Sequence, residues 1–261
     1  ESDESASALA ADYSGRVWVF GPRKLLIYDS TGELILANSW EQDGWSDLQP
    51  EGVVIDQAGS AYVPVSGTGV DGTLLLKYDR DGSLLWNRTW LGSSDNAYAT
   101  VLDESGNIHV VGKTHKGTGG FNTDLLLLKY TLNGDLLFAK ALRMENWQEA
   151  TAVALHPDGH LCIVGEEIGW GYHRPIVASF DSDGEFLWGR CYEKDTELSS
   201  VAVDSAGYVY AVGCWEASEP EGILLMKLSG EGDVVWSELL YSPTCSYRAH
   251  DLAIDNTGDI C

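Results

Sequence analysis

Residues 101–112, VLDESGNIHVVG, contain a pattern that recurs along the whole chain. A short apolar run ends in Asp-x-x-Gly, and a second glycine ends the hydrophobic run that follows. The other copies occupy residues 8–21, 53–65, 153–165, 201–213 and 252–261. Their turn glycines stand 44 to 53 residues apart. Self-similarity at such a period indicates a radial or solenoidal repeat protein.

A second half of each repeat follows, and residues 74–90, LLLKYDRDGSLLWNRTW, are a clear copy of it. Two β-type runs are joined there by an Asp-rich turn ending in Gly, so each repeat contains four short strands, which we name A to D. Aspartate accepts a hydrogen bond from a nearby backbone amide, and glycine takes the positive φ that a tight hairpin needs. We therefore predict that Asp103 and Asp204 form turns and do not bind calcium.

Four antiparallel strands at this period predict an all-β fold, a β-propeller of four-stranded antiparallel blades with five complete repeats and the start of a sixth. The predicted blades cover residues 1–40, 41–90, 91–142, 143–192 and 193–241, with a partial blade at 242–261. We treat residues 1–261 as a single β-propeller domain. We expect it to be incomplete at its C-terminus, because an unfinished blade exposes unpaired strand edges.

Individual residues of the repeat predict local packing, strand pairing and burial. Bulky residues on strand D are expected to pack between neighbouring blades; they are Trp86, Phe138, Trp188 and Trp236. Pro64 removes a hydrogen-bond donor inside strand B of the second repeat, so we expect a bulge or shortened pairing there. Cys162 and Cys261 share one position of strand B, and we predict that both are buried.

The composition excludes several classes of partner. The net charge is −24, from 40 acidic and 16 basic residues, so no nucleic acid partner is expected, because phosphate backbones are bound by Lys and Arg surfaces. No run of 18 or more apolar residues is present, so no membrane span is expected. Five cysteines without CxxC spacing predict neither a disulfide framework nor a metal site, and nothing predicts a cofactor.

The copy at residues 94–114, SDNAYATVLDESGNIHVVGKT, followed by DLLLLKYTLNGDLLFAK at 124–140, resembles the SBBP family of β-propeller repeats. This family is common in large secreted or cell-surface proteins of bacteria and archaea. The resemblance covers almost the whole chain as five copies and part of a sixth. It implies a propeller used for adhesion, assembly or recognition, and it supplies no catalytic residues.

The long connections between strands B and C and between strands D and A are the candidate binding regions, since loops on a rigid scaffold carry binding. One of the predicted B-to-C loops covers residues 166–175. Their aromatic residues can stack on sugar rings or anchor a peptide. These candidate residues are Trp45, Trp147, Trp170, Tyr172 and Trp215. The alternative interpretation is that these side chains fold back over the blades and cover the core.

Charged residues of the repeat predict no catalytic group. The six histidines are dispersed over different strands and loops, so neither a triad nor a metal pair is predicted. Acidic residues recur ahead of strand A, at Asp3, Asp47, Asp95, Glu149 and Asp195. We interpret them as acceptors that stabilise the loops, and the alternative is a ring of cation ligands.

Together these observations predict a non-catalytic protein-interaction or adhesion module of a larger extracellular or cell-surface protein or assembly. Its partner is expected to be a protein or a surface glycan, bound through the long loops. The alternative is a carbohydrate-binding or polysaccharide-degrading propeller that uses the acidic and aromatic loop residues. Two carboxylates converging about 5 to 10 Å apart would favour the enzyme.

Overall fold

The computed structural model describes residues 6–39, 46–68, 72–90, 95–115, 123–142, 147–169, 172–192, 196–215, 222–242, 244, 247–255 and 257–261. Within these ranges the regular elements are 21 β-strands, and no helix is present. The described residues accordingly include no helix of the length and apolarity that crossing a membrane requires.

The strands form five sheets, and the pairings described for them are antiparallel. Sheet one consists of β1 (Ala8–Ala11), β2 (Val17–Gly21), β3 (Lys24–Tyr28) and β4 (Leu34–Ser39), in that order. Sheet two consists of β5 (Ser46–Pro50), β6 (Val54–Ile55), β7 (Ala61–Thr68), β8 (Thr73–Tyr78) and β9 (Leu84–Trp90), and β5 and β6 both pair with β7.

The remaining three sheets each have four strands in sequence order. Sheet three consists of β10 (Asn96–Leu102), β11 (Ile108–His115), β12 (Thr123–Tyr130) and β13 (Leu136–Leu142). Sheet four consists of β14 (Trp147–Leu155), β15 (Leu161–Gly169), β16 (Tyr172–Phe180) and β17 (Phe186–Cys191). Sheet five consists of β18 (Thr196–Val203), β19 (Val209–Trp215), β20 (Gly222–Leu228) and β21 (Val234–Leu240). The predicted all-β class built from four-stranded antiparallel sheets is confirmed.

The chain forms two compact units, Glu1–Lys116 with Leu128–Ala139, and Gly117–Leu127 with Lys140–Cys261. In the first unit a buried apolar cluster contains side chains of sheets one and two, among them Trp18 and Leu76. In the second unit an equivalent cluster contains side chains of sheets four and five, among them Val177 and Met226. Each core is therefore made where successive sheets pack face to face.

The Asp-x-x-Gly turns have the geometry predicted for Asp103 and Asp204. The backbone amide of Gly106 donates to the carbonyl of Asp103 (2.9 Å), and Gly106 has a φ of 80°, which favours glycine. The Asp103 carboxylate accepts the amide of Asn107 at 2.7 Å. The Asp204 carboxylate likewise accepts the amides of Ala206 and Tyr208, each at 2.9 Å. The turn role of both aspartates is confirmed.

The second glycine of the repeat is required by a bulge in strand A. A Cβ atom on Gly112, Gly165 or Gly213 would lie 1.9 to 2.0 Å from a backbone carbonyl oxygen of that strand. The strand's register shifts beside each of these contacts, as between Ala150 and Ala152. The bulge thus brings a carbonyl over the place where any other residue would carry its side chain.

Sheet two departs from this pattern, as Pro64 predicts. Its strand A is divided into β5 and β6, and the register shifts between Ser46 and Gln49. Pro64 still accepts the amide of Glu51 through its carbonyl at 3.0 Å. The missing N–H of proline therefore coincides with a shortened pairing.

The bulky residues of strand D pack in two ways: some contact their own sheet, which was not predicted, and Trp188 contacts the next sheet, as predicted. Trp86 lies 6.1 Å from Tyr62 between ring centroids, within sheet two. Trp188 of sheet four covers the turn glycine Gly232 of sheet five, where a Cβ would come within 2.5 Å of the indole. Trp188 therefore packs against the next sheet.

The segment after sheet five packs on that sheet in the way that sheet five packs on sheet four. The hydroxyl of Thr151 donates to the carbonyl of Leu198, and the hydroxyl of Ser199 donates to the carbonyl of Ala249 (2.8 Å). Leu252 joins a buried cluster with Tyr210 and Val212.

Cys162 is buried as predicted, whereas Cys261 is exposed, so that prediction was wrong. Cys261 exchanges backbone hydrogen bonds with Ala253, beside an isolated bridge between Ile254 and Ile260. In the described part of the chain no named strand pairs with this bridge on its other side, and the Cys261 side chain is left uncovered.

Candidate functional site

Within a sheet, a row of side chains runs from the aspartate of the A-to-B turn across strands B, C and D. In sheet three, Oδ2 of Asp103 lies 3.1 Å from Nε2 of His109 and 3.2 Å from Nζ of Lys129. The His109 ring also packs against Phe138 at 6.4 Å between centroids. We call this row, which in sheet three is Asp103, His109, Lys129 and Phe138, a rung. Equivalent rungs are Asp56, Tyr62, Lys77 and Trp86 in sheet two, and Asp204, Tyr210, Lys227 and Trp236 in sheet five.

The rung of sheet three has the electrostatics of a structural network. Burial alone would raise the pKa of Asp103, but hydrogen bonds from Asn107, His109 and Lys129 outweigh it and lower the pKa to about 2. Burial lowers the pKa of His109, which has no exposed surface. A neutral, enclosed histidine cannot exchange protons with a substrate, so His109 stabilises the sheet and is not a general base.

Sheets one and four replace parts of the rung. In sheet one Asp12 is paired with Arg16, with Nε of Arg16 at 2.6 Å from Oδ2 of Asp12. In sheet four the turn residue is His156, and Cys162 occupies the strand B position. Burial raises the pKa of Cys162 to about 12, so this thiol is unreactive.

The second unit contains a hairpin in sheet four that extends beyond the repeat pattern. The strands β15 and β16 continue pairing from Gly165 opposite Ile176 out to Gly169 opposite Tyr172. We name residues 166–169 and 172–175 the sheet-four hairpin. The sequence predicts a long loop over residues 166–175, and that prediction was wrong. Glu167 and Arg174 lie opposite each other in this pairing.

The sheet-four hairpin has two glutamates on β15, and a histidine and an arginine on β16. Glu166 and Glu167 are each only 7% exposed. Nδ1 of His173 lies 2.6 Å from Oε2 of Glu166. Burial of its thiol raises the pKa of Cys191, the charge and hydrogen bond of Glu167 raise it further, and Arg174 lowers it. The hairpin therefore holds partnered acids, and its neighbouring cysteine is a poor nucleophile.

An aromatic and a cation are stacked at the end of the hairpin. The guanidinium carbon of Arg174 lies 4.5 Å from the ring centroid of Tyr172, within the range of a cation–π contact. The Tyr172 ring in turn covers Gly169, where a Cβ would fall 2.1 Å from it. Arg174 and His173 are exposed and Tyr172 is half-buried. The stack is thus held against the backbone while its charged part faces solvent.

Of the aromatic residues predicted to bind a partner, Tyr172 is the one whose side chain the structure describes. Trp45 and Trp170 lie outside the described residues. Trp147 begins β14 and Trp215 ends β19, and their side chains lie outside the described part of the chain. The repeat pattern alone did not indicate Arg174 and His173 as neighbours of Tyr172. The sequence Gly169-Trp170-Gly171, with a glycine on either side of one residue, is the turn signal that could have found them.

Among the acidic residues ahead of strand A, Asp95 acts as the predicted hydrogen-bond acceptor. Asp95 is buried and accepts Nε1 of Trp90 at 2.9 Å and the backbone amide of His115 at 3.3 Å. Glu149 lies opposite Glu166 on the neighbouring strand. Asp3 and Asp195, and the side chain of Asp47, lie outside the described residues. Among the residues that the structure describes, no three His, Cys, Asp or Glu side chains are grouped to hold a metal ion.

Solved structures with a similar fold share 10 to 13% sequence identity with this chain. A protein of unknown function from Dyadobacter fermentans superimposes with a TM-score of 0.68 at 12% identity, covering 91% of this chain and 82% of that one. The WD40 domain of Neurospora crassa Pan2 superimposes with a TM-score of 0.58 at 10% identity, covering 97% of this chain and 83% of that one.

A third similar structure is PorZ, a surface component of the type-IX secretion system of Porphyromonas gingivalis. The TM-score is 0.59 at 13% identity, and the alignment covers 97% of this chain and 36% of PorZ. No protein-family model and no curated protein sequence matches the chain. WD40 repeats form β-propellers, so the similarity and the five sheets together show a β-propeller-like fold.

Proposed function

We propose that this protein is a non-catalytic interaction module that binds a protein partner through the sheet-four hairpin. The observation that carries the proposal is the exposed Arg174 stacked on Tyr172 and supported by Gly169. Tyrosine and arginine are enriched among residues that dominate binding energy at protein interfaces. Because the stack is held before binding, little side-chain entropy is lost when a partner docks.

The distribution of the other polar groups supports the same function. The rung residues Asp103, His109 and Lys129 are enclosed within a sheet and contact one another. Residues that recur in several sheets therefore serve the fold. A binding role suits the residues that occur in one sheet alone, such as His173 and Arg174.

A location at the cell surface, within a larger assembly, forms part of the proposal. The similarity to a fold region of PorZ and the resemblance of the repeats to SBBP propellers support it. The high negative charge of −24 suits a partner with a basic rim around the docking site, since opposite potentials speed encounter.

Photo-crosslinking tests the proposal on envelopes of the source cells. A benzophenone amino acid is placed at Tyr172, and a matched probe is placed at Tyr247, an exposed tyrosine in the segment after sheet five. We expect the Tyr172 probe to give a saturable adduct with one protein. Unlabelled protein should compete for it, and the Arg174→Ala variant should compete at least about 30-fold less well, which corresponds to about 2 kcal/mol.

Two outcomes would contradict the proposal. Equal competition by Arg174→Ala and the unsubstituted protein would show that the stack does not bind the partner. Binding that survives protease treatment of the envelope but is lost after periodate oxidation of its sugars would favour the glycan-binding alternative. Arg23→Ala, which removes an exposed arginine of sheet one, serves as the matched control and should compete normally.

A further inference from the structure

A cavity of about 230 Å³ lies among the turns of sheets one and two, within the first compact unit. Tyr13 and Arg16 line it from sheet one, and Gln57, Gly59 and Arg80 line it from sheet two. Pockets for drug-sized ligands span roughly 300–1,000 Å³, so this cavity suits a single sugar unit better than a longer ligand. It is remote in sequence from the sheet-four hairpin and is independent of it.

The acid in the cavity wall is already saturated. Asp12 accepts the amide and hydroxyl of Ser14, the amide of Arg16, and Nε of Arg16 at 2.6 Å. Nε1 of Trp18 adds a fifth donor at 3.5 Å. Burial would raise the pKa of Asp12, but these hydrogen bonds hold it far below its usual value. Its charge is balanced by Arg16, so Asp12 offers no free acceptor to a ligand.

The groups that remain are donors. Arg16 uses Nε for Asp12 and Nη1 for the carbonyl of Arg80 (2.8 Å). Its Nη2 lies near Gly59, where a Cβ would come within 3.5 Å of it. Among the described residues, Nη2 of Arg16 and the guanidinium of Arg80 have no hydrogen-bond or ion-pair partner. Two guanidinium groups and the amide of Gln57 therefore face a cavity without a free carboxylate.

The corresponding junction in the second unit is closed. Between sheets four and five the His156 ring occupies the space beside Gly207, with its Nε2 3.2 Å from the Gly207 carbonyl oxygen. A Cβ on Gly207 would fall 2.6 Å from that ring. The cavity is thus a property of the side chains at the first junction and is not produced by the repeat itself.

We propose that this cavity binds the carboxylate of an acidic sugar, a uronic acid unit of a glycan. The carboxylate supplies acceptors to Arg80 and to Nη2 of Arg16, because guanidinium groups match carboxylates in geometry and charge. The sugar ring lies against Tyr13, whose side chain is 78% exposed at the rim of the cavity. Aromatic faces pack against the apolar faces of sugars.

Titration calorimetry with D-glucuronate tests the site, with D-glucose and N-acetylglutamate as matched probes. We expect glucuronate to bind with a dissociation constant of the order of 1 mM, and both other probes to bind at least about tenfold more weakly. Glucose lacks the carboxylate, so its weaker binding would show that the carboxylate is needed. N-acetylglutamate lacks the sugar ring, so its weaker binding would show that the ring is needed. Equal binding of either probe, or no glucuronate binding at several times that concentration, would overturn the assignment.

Variants connect the binding to the named residues. Arg80→Gln leaves the backbone carbonyl that Arg16 uses, and it should weaken glucuronate binding at least about tenfold without altering the unfolding curve. Tyr13→Ala should weaken it as well. Arg23→Gln and Arg174→Ala should bind as the unsubstituted protein does. Unchanged binding in Arg80→Gln would refute the site, whereas loss in Arg174→Ala would move it to the hairpin.

Discussion

The aspartate at the A-to-B turn has two tasks, and both depend on its position six residues before a strand B side chain. In sheet three the Oδ1 atom of Asp103 accepts the amide that closes the turn, and the Oδ2 atom contacts His109 and Lys129. Asp29, in a C-to-D turn of sheet one, closes its turn in the same way, but among the described residues its carboxylate accepts hydrogen bonds only from that turn, from Thr31 and Glu33. Comparing substitutions of the two aspartates therefore separates the free energy of unfolding that comes from the turn from that which comes from the rung.

Replacing Asp103 by alanine should destabilise the protein more than replacing Asp29. The Asp103→Ala variant loses the turn bond and also the carboxylate beside a buried lysine, so we expect a loss of about 3 kcal/mol in the free energy of unfolding. Asp29→Ala loses the turn bonds alone. Urea unfolding of both variants measures the difference. Equal losses would show that the rung contributes nothing beyond the turn.

The pH dependence of stability should report the same carboxylate. Burial raises and hydrogen bonds lower its pKa, with a net value of about 2 against an unperturbed 3.8. The ionised form is favoured in the folded state, so the stabilisation is complete above about pH 4 and is lost as the pH falls towards about 2. The stability difference between the unsubstituted protein and Asp103→Asn should narrow over that interval. A difference that stays constant down to pH 2 would contradict this assignment.

Glu51 should show the opposite sign. Burial raises the pKa of this half-buried carboxyl to about 7 from 4.5, so the neutral form is favoured in the folded state. The stability that the neutral Glu51 carboxyl contributes to the folded state is fully present below about pH 4.5 and is lost as the pH rises through about 7. Glu51→Gln should therefore raise the free energy of unfolding at about pH 8 and change it little at about pH 4. A Gln variant that is less stable at the higher pH would count against a buried, unpaired carboxylate.

At the scale of the strands, the bulge of strand A and the second glycine of strand B form one unit. A Cβ on Gly213 would lie 2.0 Å from the carbonyl oxygen of Glu197, and neither backbone can move without breaking ladder hydrogen bonds. A Cβ on Gly52 would meet nothing closer than 3.7 Å. Gly52 is thus a matched control for the same substitution.

Gly213→Ala should cost about 2 to 3 kcal/mol of unfolding free energy, the range for overpacking a close contact. Gly52→Ala should change stability by less than about 1 kcal/mol, because the added methyl group makes only ordinary contacts. Thermal and urea unfolding of the two variants gives the comparison. If both variants unfold alike, the glycine is not required by the bulge.

The sequence predicts these elements where a local rule applies. Gly106 marks a turn because a positive φ favours glycine, and Pro64 marks a broken ladder because it lacks a donor. The rung is less visible, since Asp103 and His109 meet only after the hairpin has formed. Tyr172 was recognised, but its contact with Arg174 depends on strand pairing beyond the repeat. Side chains that meet across a register, such as Glu166 and His173, cannot be placed before that register is known.

At the scale of the whole molecule, part of the small basic content links successive sheets. Arg88 of β9 donates through Nε to the carbonyl of Gly134 at 2.9 Å, in the turn between strands C and D of sheet three. Lys140 of β13 contacts Asp183 and Glu185 in the corresponding turn of sheet four, each at 2.6 Å. Cations used in this way serve the fold, whereas the guanidinium of Arg174 is exposed and lies 4.5 Å from the ring centroid of Tyr172.

We expect recurring residues to serve the fold and the sheet-four hairpin to serve binding. The sharpest test of these two roles measures how tightly variants with known unfolding curves bind to envelopes of the source cells. Asp204→Ala should lower the unfolding temperature and retain the affinity of the unsubstituted protein below that temperature. Arg174→Ala should retain the unfolding temperature and lose at least about 2 kcal/mol of binding free energy. Loss of binding in a folded Asp204→Ala variant would contradict these two roles, and so would an Arg174→Ala variant that binds the envelope as tightly as the unsubstituted protein.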